Sequence, residues 1–346
     1  MISMRDVARL AGVSVATVSA VINGKATVGI ASVRRVEEAM KALDYHPDQV
    51  ARSLRVGRTN VIGMIVPDIS NQFFAEIMRS VEETSEKSGF SVIMCDSNED
   101  SGREQRHLST LYSRRVDGVL LASSVSDAAQ DRLTLRRFPI VFVDAVPAGI
   151  KHGAVVVDNA EGAYAATRYL IELGHRRIAI ITGSLDRSVG LDRLEGYRKA
   201  MQEAELVVPD EYIRFGDYHV ERGYKWGREL MGLSVPPTAI FACNNAMTLG
   251  LLRALADLGI RCPAQVSVVG FDDVDWATSF TPRLTCVAQP TYEIGKLATE
   301  MLLQKVRAAD GEATYEHPNI ILRAELRVRE SAAAPAPLIL SFPPGF

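Results

Sequence analysis

The sequence has few cysteines, and they lie far apart. Cys95, Cys243, Cys262 and Cys286 are the four cysteines among 346 residues, and no two of them form a CxxC pair. This spacing argues against a disulfide framework and against a zinc site, both of which need cysteine or histidine ligands in recognisable groups. We therefore expect four small hydrophobic side chains in a core, and no metal.

Long apolar runs are also missing. Hydrophobic residues make up 47% of the chain, yet no stretch approaches the ~18 consecutive apolar residues that a membrane helix needs. Arg5 and Asp6 interrupt the N-terminus before an apolar run of signal-peptide length can develop. We expect a cytoplasmic protein without a membrane segment.

Common catalytic motifs are absent as well. The sequence contains no GxSxG, HExxH, GxxxxGKS/T or GxGxxG, and its six histidines are separated from one another. His175, in LGHRRIAII, falls between a predicted helix and a predicted strand, where a structural role or a surface charge is expected. The sequence thus predicts a protein that is not an enzyme and has no cofactor.

The charge is unevenly distributed along the chain. Residues 1–60 contain 9 Lys or Arg and 5 Asp or Glu, whereas residues 61–346 contain 30 and 37. A basic head of charge +4 therefore precedes an acidic body of charge −7. Such asymmetry is typical of a nucleic-acid-binding head joined to a body with a different task.

The head has the pattern of a helix-turn-helix. Apolar positions predict two short helices, with Val7, Ala8 and Leu10 in the first and Val18, Val21 and Ile22 in the second. Gly12 can adopt the positive φ that the turn requires, and Ser14 is placed to cap the second helix. Val33, Val36, Met40 and Leu43 predict a third helix, with Gly29 at its start and Ser32 as the candidate cap.

A short hinge follows the head. In YHPDQVARSLRVGRT, Pro47 can open a helix over residues 48–54, and Gly57 ends it. This helix is too short to be stable in isolation.

The motif DVAxxAGVSxxTVSxxxN, matched from Asp6 to Asn23, resembles the head of the lactose-repressor (LacI/GalR) family of bacterial transcription regulators. The resemblance implies a DNA-binding regulator, expected to be a repressor, that binds palindromic operators as a homodimer. It assigns phosphate contacts to Ser14, Thr17, Ser19 and Asn23, and a minor-groove wedge to Leu54 of the hinge, with Arg52 adding phosphate or groove contacts.

Base contacts would come from the start of the second helix, at Val15, Ala16 and Ala20. Many relatives carry a long polar or cationic residue where this chain has Ala20. Because none of the three side chains donates a hydrogen bond, we expect apolar contacts with thymine methyl groups, and more discrimination through DNA shape.

The body alternates short apolar strands with helical segments, which predicts two α/β halves with parallel sheets. VVVDNAEGA, CVAQPTYEIG and IILRAEL look like three crossings between the halves. The body resembles periplasmic-type sugar-binding proteins. Members of the LacI/GalR family have a body of this architecture. The predicted division is a DNA-binding head at 1–46, a hinge at 47–59, a first subdomain at 60–158 plus 290–318, a second at 159–289 plus 319–330, and a tail at 331–346.

In such a fold, ligands bind between the halves at the carboxyl ends of the strands. Aromatic, acidic, amide and guanidinium side chains follow the predicted strands, a set that suits a polyol: Phe73, Phe74, Asp144, Arg187, Arg193, Tyr218, Asn244 and Asp272. By resemblance, Arg193 and Asp272 would bind hydroxyls, Tyr218 and Phe73 would stack, and Asn244 and Asp144 would add hydrogen bonds. Asn245 follows Asn244 where an Asn-Asp pair is usual.

Other interpretations stay open at this point. The resemblance implies that a small-molecule effector, bound in the cleft of the body, controls the regulator allosterically. A sugar or sugar derivative is the first expectation for this effector, and a purine corepressor is the second, since purine-responsive relatives share the scaffold. A solute-binding protein without DNA binding would share the body but predicts an export signal. The final segment, SAAAPAPLILSFPPGF, lacks leucine heptads, so a dimer is expected and no tetramerising coiled coil.

Overall fold

The protein is described from a computed structural model, which covers residues 2–22, 28–45, 58–123, 139–147, 153–308 and 318–336. The chain divides into two compact units, Met1–Asn60 and Val61–Phe346, called the head and the body. Within the described ranges, no helix is both long and apolar enough to cross a membrane.

The head contains three helices: α1 (Met4–Ala11), α2 (Val15–Ile22) and α3 (Ile30–Ala42). Small side chains form its core and let the helices approach: Val7, Ala8, Ala11, Val18, Val36 and Ala39. Gly12 has a φ of 65° and ends α1, as the turn requires. The Ser14 hydroxyl accepts a hydrogen bond from the backbone N–H of Thr17 at 3.0 Å, which confirms the predicted cap of α2.

Two details of the head differ from the sequence prediction. Ser32 does not cap α3, because it lies inside the helix and its own N–H bonds the Gly29 carbonyl. Leu10 is exposed, since Val7, Ala8 and Ala11 already cover the face of α1 that meets the core. The predicted hinge helix at residues 48–54 lies outside the described residues.

The first subdomain of the body is a parallel sheet of order β11-β5-β4-β3-β1-β2. Its strands are β1 (Val61–Val66), β2 (Ser91–Asp96), β3 (Gly118–Leu121), β4 (Ile140–Val143), β5 (Ala154–Val157) and β11 (Ile320–Leu322). Its helices are α4 (Gln72–Lys87), α5 (Ser101–Ser113) and α11 (Thr291–Ala308). Strands β1, β3, β4 and β5 are largely buried because helices cover the sheet, as parallel sheets require.

The second subdomain has a sheet of order β12-β10-β9-β8-β6-β7. Its strands are β6 (Ile178–Thr182), β7 (Ile213–Phe215), β8 (Ala239–Ala242), β9 (Ser267–Phe271), β10 (Thr285–Ala288) and β12 (Glu325–Arg327). Its helices are α6 (Asn159–Glu172), α7 (Ser188–Glu203), α8 (Val220–Met231), α9 (Asn245–Asp257) and α10 (Trp276–Ser279). Strand β12 runs antiparallel to β10, whereas the other pairs are parallel.

One predicted boundary in the body is wrong. Residues 319–330 are predicted in the second subdomain, but β11 pairs with β5 of the first sheet through Ile320 and Val155. The chain crosses later, within IILRAEL, between Leu322 and Glu325. The pattern identifies the crossing segment, whereas its exact position depends on pairing with β5, which the local sequence does not encode.

The predicted tail also begins too early. Ser331 is buried, donates to the Val268 carbonyl at 2.6 Å and accepts from the N–H of Thr285 at 2.8 Å. His175 is buried beside this segment and contacts the Ala333 carbonyl through Nε2 at 2.8 Å. The first residues of 331–346 are therefore part of the second subdomain, and His175 has the structural role that was one of its two predicted roles.

Replacing His175 with Gln is expected to reduce the acid sensitivity of the fold. Burial lowers the pKa of His175 below its ordinary value of 6.5. The unfolded chain therefore binds a proton near that pH while the folded chain does not, so stability falls as pH drops from about 7 to 5. Urea unfolding at several pH values should show a shallower loss over this range in His175→Gln. An unchanged slope would contradict the assignment.

Candidate functional site

In the head, the surface of α2 that faces away from the core carries the residues predicted to contact DNA. Ser14 and Ala16 are exposed and Val15 is 40% exposed, whereas Val18 is buried in the core. The hydroxyls of Ser14 and Thr17 lie 2.9 Å apart at the start of the helix. Ser19 and Ala20 are half-buried one turn further on. Asn23, Arg52 and Leu54 lie outside the described residues.

In the body, a cleft with about 320 Å³ of empty space, open solvent included, lies between the two sheets at the carboxyl ends of their strands. All eight side chains predicted for the effector line it: Phe73, Phe74, Asp144, Arg187, Arg193, Tyr218, Asn244 and Asp272. Four further residues complete the wall: Asn71, Glu99, Val189 and Gln289. Residues that were predicted from strand ends in distant parts of the chain thus line one cavity.

Three of these residues have a strained backbone. Asp144, Tyr218 and Asp272 adopt φ values of 65°, 68° and 76°, in the left-handed region that residues other than glycine rarely occupy. The strain is held by the surrounding structure, since the N–H of Asp272 bonds the Val287 carbonyl at 2.9 Å. Strained residues of this kind cluster at ligand sites, where they fix the direction of a side chain.

Arg193 forms the floor of the cavity. It lies in α7, 3% exposed, with its guanidinium 3.7 Å from the centre of the Phe271 ring. Its Nε donates to Asn159 Oδ1 at 2.8 Å, and one terminal nitrogen donates to the Cys243 carbonyl. These contacts immobilise the guanidinium, so that its remaining N–H groups keep a fixed direction.

Arg187 reaches across the cleft from the N-terminus of α7. One terminal nitrogen donates to both carboxylate oxygens of Glu99, at 3.0 and 3.1 Å, and the other donates to Asp144 Oδ2 at 3.4 Å. Its guanidinium lies 5.0 Å from the centre of the Tyr218 ring. Gly183 makes room for that ring, because a Cβ at this position would overlap it.

Asp272 and Asn244 belong to the wall formed by the second sheet. Asp272 accepts from Gln289 Nε2 at 2.7 Å and from the N–H of Asn245 at 3.2 Å. Asn244 caps α9 by accepting from the N–H of Met247 and donates to the Tyr218 carbonyl. The Asn245 amide donates to Asn71 Oδ1 at 2.7 Å, so the unusual Asn245 connects the second subdomain to the first.

Burial sets the electrostatics of the cavity. It raises the pKa of Asp144, of Asp272 and of Glu99 above their ordinary values, because a desolvated carboxylate is disfavoured. Burial opposes the charge of Arg187, yet the Glu99 carboxylate beside it raises its pKa overall. Two wall atoms, Arg187 Nε and Gln289 Oε1, are buried without a hydrogen-bond partner among the described residues.

The four wall residues that the sequence prediction missed had weak signals. Asn71 caps α4, and Gln289 lies in the crossing segment CVAQP, so both read as connection residues. Val189 lies in the first turn of α7, which begins at Ser188. Glu99 follows β2 by three residues, and the rule that points to strand ends could have found it.

Comparison with known proteins matches the head and part of the body to separate family models. Residues 3–48 match the model of the lacI family of bacterial regulatory proteins, and residues 167–332 match that of a periplasmic binding protein-like domain. The ribose operon repressor of Escherichia coli strain K12 is 39% identical over 334 residues, which cover 96% of this chain and all of that protein. The chain belongs to the lacI family. It is a DNA-binding transcriptional regulator with an effector-binding body.

Other transcriptional regulators are similar to the chain over most of its length. The repressor PurR of Proteus mirabilis strain HI4320 is 38% identical over 93% of this chain and 96% of its own length. A solved complex of the regulator CelR with cellobiose is 32% identical, covers 96% of this chain and all of CelR, and has a TM-score of 0.72. The Lac repressor dimer bound to operator and the anti-inducer ONPF is 26% identical, covers 96% of this chain and 99% of its own, and has a TM-score of 0.84.

Introducing Arg at Ala20 is expected to change base preference at one position in each half-site. If Ala20 faces a base edge, as the sequence predicts, an Arg side chain there can bond guanine O6 and N7, whereas Ala20 offers only a methyl group. Selection from a randomised palindromic library should show guanine enriched at a single base pair per half-site. An unchanged selected motif would remove Ala20 from the base-reading positions.

Proposed function

We propose that the chain is a cytoplasmic, non-catalytic repressor that binds operator DNA as a homodimer and responds to a monosaccharide held in the body cavity. The observation that carries the choice of ligand is the composition of the wall. Carboxylates, amides and guanidiniums alternate there with the rings of Phe73, Phe74 and Tyr218. A sugar ring presents hydroxyls at its edge and C–H groups on its faces, and it uses both kinds of wall.

Two relatives support a sugar as the effector. The ribose operon repressor matches over its whole length, and CelR was solved with cellobiose. The cavity is lined by residues of both subdomains, the usual arrangement for a small molecule held between two α/β halves.

A purine is the second candidate, because PurR is almost as similar as the ribose operon repressor. The cavity wall favours the sugar. Phe73 and Phe74 meet edge to face, with ring centres 5.0 Å apart and an angle of 71°, so the two rings do not form a parallel slot for a flat base.

The homodimer is proposed from the need to hold two heads on two half-sites. The Lac repressor structure is a dimer on its operator, and the fold of that chain is shared over 96% of this one. Coupling follows if the sugar binds the DNA-competent and DNA-incompetent states with different affinity.

The test is a binding panel with the purified full-length protein. We expect D-ribose or another free pentose or hexose to raise the melting temperature and to give a single-site calorimetric isotherm. Hypoxanthine and guanine are the comparison ligands. Binding of a purine with no response to any free sugar would replace the proposed effector class.

A further inference from the structure

Glu99 is positioned by a loop with an unusual backbone. Asn98 and Glu99 are consecutive residues with φ values of 51° and 56°, both in the left-handed region. The turn is fixed because the N–H of Asn98 bonds Asp96 Oδ1 at 2.9 Å and the N–H of Glu99 bonds the Pro67 carbonyl at 3.0 Å. A turn held this way directs the Glu99 side chain into the cleft.

The carboxylate of Glu99 occupies the terminal nitrogen of the Arg187 guanidinium that would otherwise bind an anion. Both of its oxygens lie within 3.1 Å of one terminal nitrogen of Arg187, and Asp144 takes the other terminal nitrogen. Arg187 is 5% exposed and its Glu99 partner 20%, so little solvent screens the pair. Nε is the guanidinium nitrogen that keeps no partner among the described residues.

The charge balance of the whole wall follows from this arrangement. Three carboxylates, those of Glu99, Asp144 and Asp272, face two guanidiniums, those of Arg187 and Arg193. A phosphate group entering the cavity would therefore meet acids in excess and guanidiniums that are already engaged. Hydroxyl groups meet no such penalty, because they can donate to the carboxylates.

We propose that Glu99 is a specificity-determining residue that excludes phosphorylated and other anionic sugars by neutralising Arg187. This inference rests on the proposed sugar-binding function and adds the charge of the ligand to it. The chain would then respond to a free sugar and not to the phosphate ester of that sugar. The free sugar is the form that exists before a kinase reaction.

The experiment compares full-length wild type, Glu99→Gln and the control Glu86→Gln, whose side chain lies exposed on α4. Calorimetry gives the dissociation constants of D-ribose and D-ribose 5-phosphate at constant ionic strength. Thermal unfolding with inorganic phosphate, against chloride at the same ionic strength, reports anion binding without any sugar. Gln preserves the size of the side chain and removes its charge.

In Glu99→Gln, we expect the ratio of the ester's dissociation constant to that of ribose to fall at least ~10-fold, the equivalent of ~1.4 kcal/mol. Phosphate should also stabilise this variant and leave wild type and Glu86→Gln unaffected. The inference is overturned if the variant gains neither ester affinity nor phosphate stabilisation, or if wild type prefers the ester. A wild type that binds no free sugar, with phosphate stabilisation still gained by Glu99→Gln, would sink the proposed function and keep the role of Glu99.

Discussion

An Asp272→Asn variant is expected to bind the effector at least ~100-fold more weakly than wild type, because hydrogen bonds to charged groups contribute ~1.5 to 3 kcal/mol and the substitution disturbs more than one. Asp272 is 4% exposed and accepts from both Gln289 and the N–H of Asn245. The two donors bond different oxygens of Asp272, and an Asn side chain has one acceptor oxygen, so its NH2 group would face one of these donors.

Titration calorimetry with the effector measures this loss directly. Operator affinity without effector should stay within ~3-fold of wild type, since Asp272 lies in the cavity wall of the body and is none of the predicted DNA contacts. Asp210→Asn, which removes a charge from an exposed position outside the cavity, is the matched control and should bind the effector normally. Full effector affinity in Asp272→Asn would show that the cavity wall is not the binding site.

Replacing Ser14 with Asp is expected to weaken operator binding at least ~100-fold while the head stays folded. Asp is as good an N-cap as Ser, so the bond from the Thr17 N–H is preserved. The new carboxylate would lie against a DNA phosphate if Ser14 is a phosphate contact. A loss of ~1.5 kcal/mol in each of two half-sites gives the stated factor.

Ser14→Asn is the matched control, because Asn has the shape of Asp and also caps helices but carries no charge. We expect electrophoretic mobility shifts to show strong operator binding for Ser14→Asn and little for Ser14→Asp at equal salt. Both variants should have the circular dichroism and melting temperature of wild type. Equal operator binding by the two variants would mean that Ser14 does not approach the DNA backbone.

The features that the sequence predicts well are those carried by local patterns. The turn at Gly12, the cap at Ser14 and the alternation of apolar strands with helices follow from backbone preferences and burial periodicity. The cavity wall follows from one rule about parallel sheets, which places Asn244 and Asp272 at neighbouring strand ends of the second sheet and Asp144 at a strand end of the first.

The features that the sequence does not predict depend on contacts between distant segments. The membership of Ile320–Leu322 in the first sheet requires pairing with β5, more than 160 positions earlier. The burial of Ser331 depends on Val268 and Thr285. Glu99 and Arg187 are 88 positions apart and belong to different subdomains, so no local pattern indicates their ion pair.

The most direct test of an effector-controlled repressor measures operator binding and sugar binding together. Operator affinity of the full-length protein is determined on a selected palindromic duplex with and without saturating D-ribose or the free sugar that the panel identifies. We predict that the sugar changes operator affinity at least ~5-fold and that the operator changes sugar affinity by the same factor, as linkage requires. A sugar that binds tightly and leaves operator affinity unchanged would contradict the control of DNA binding by the sugar.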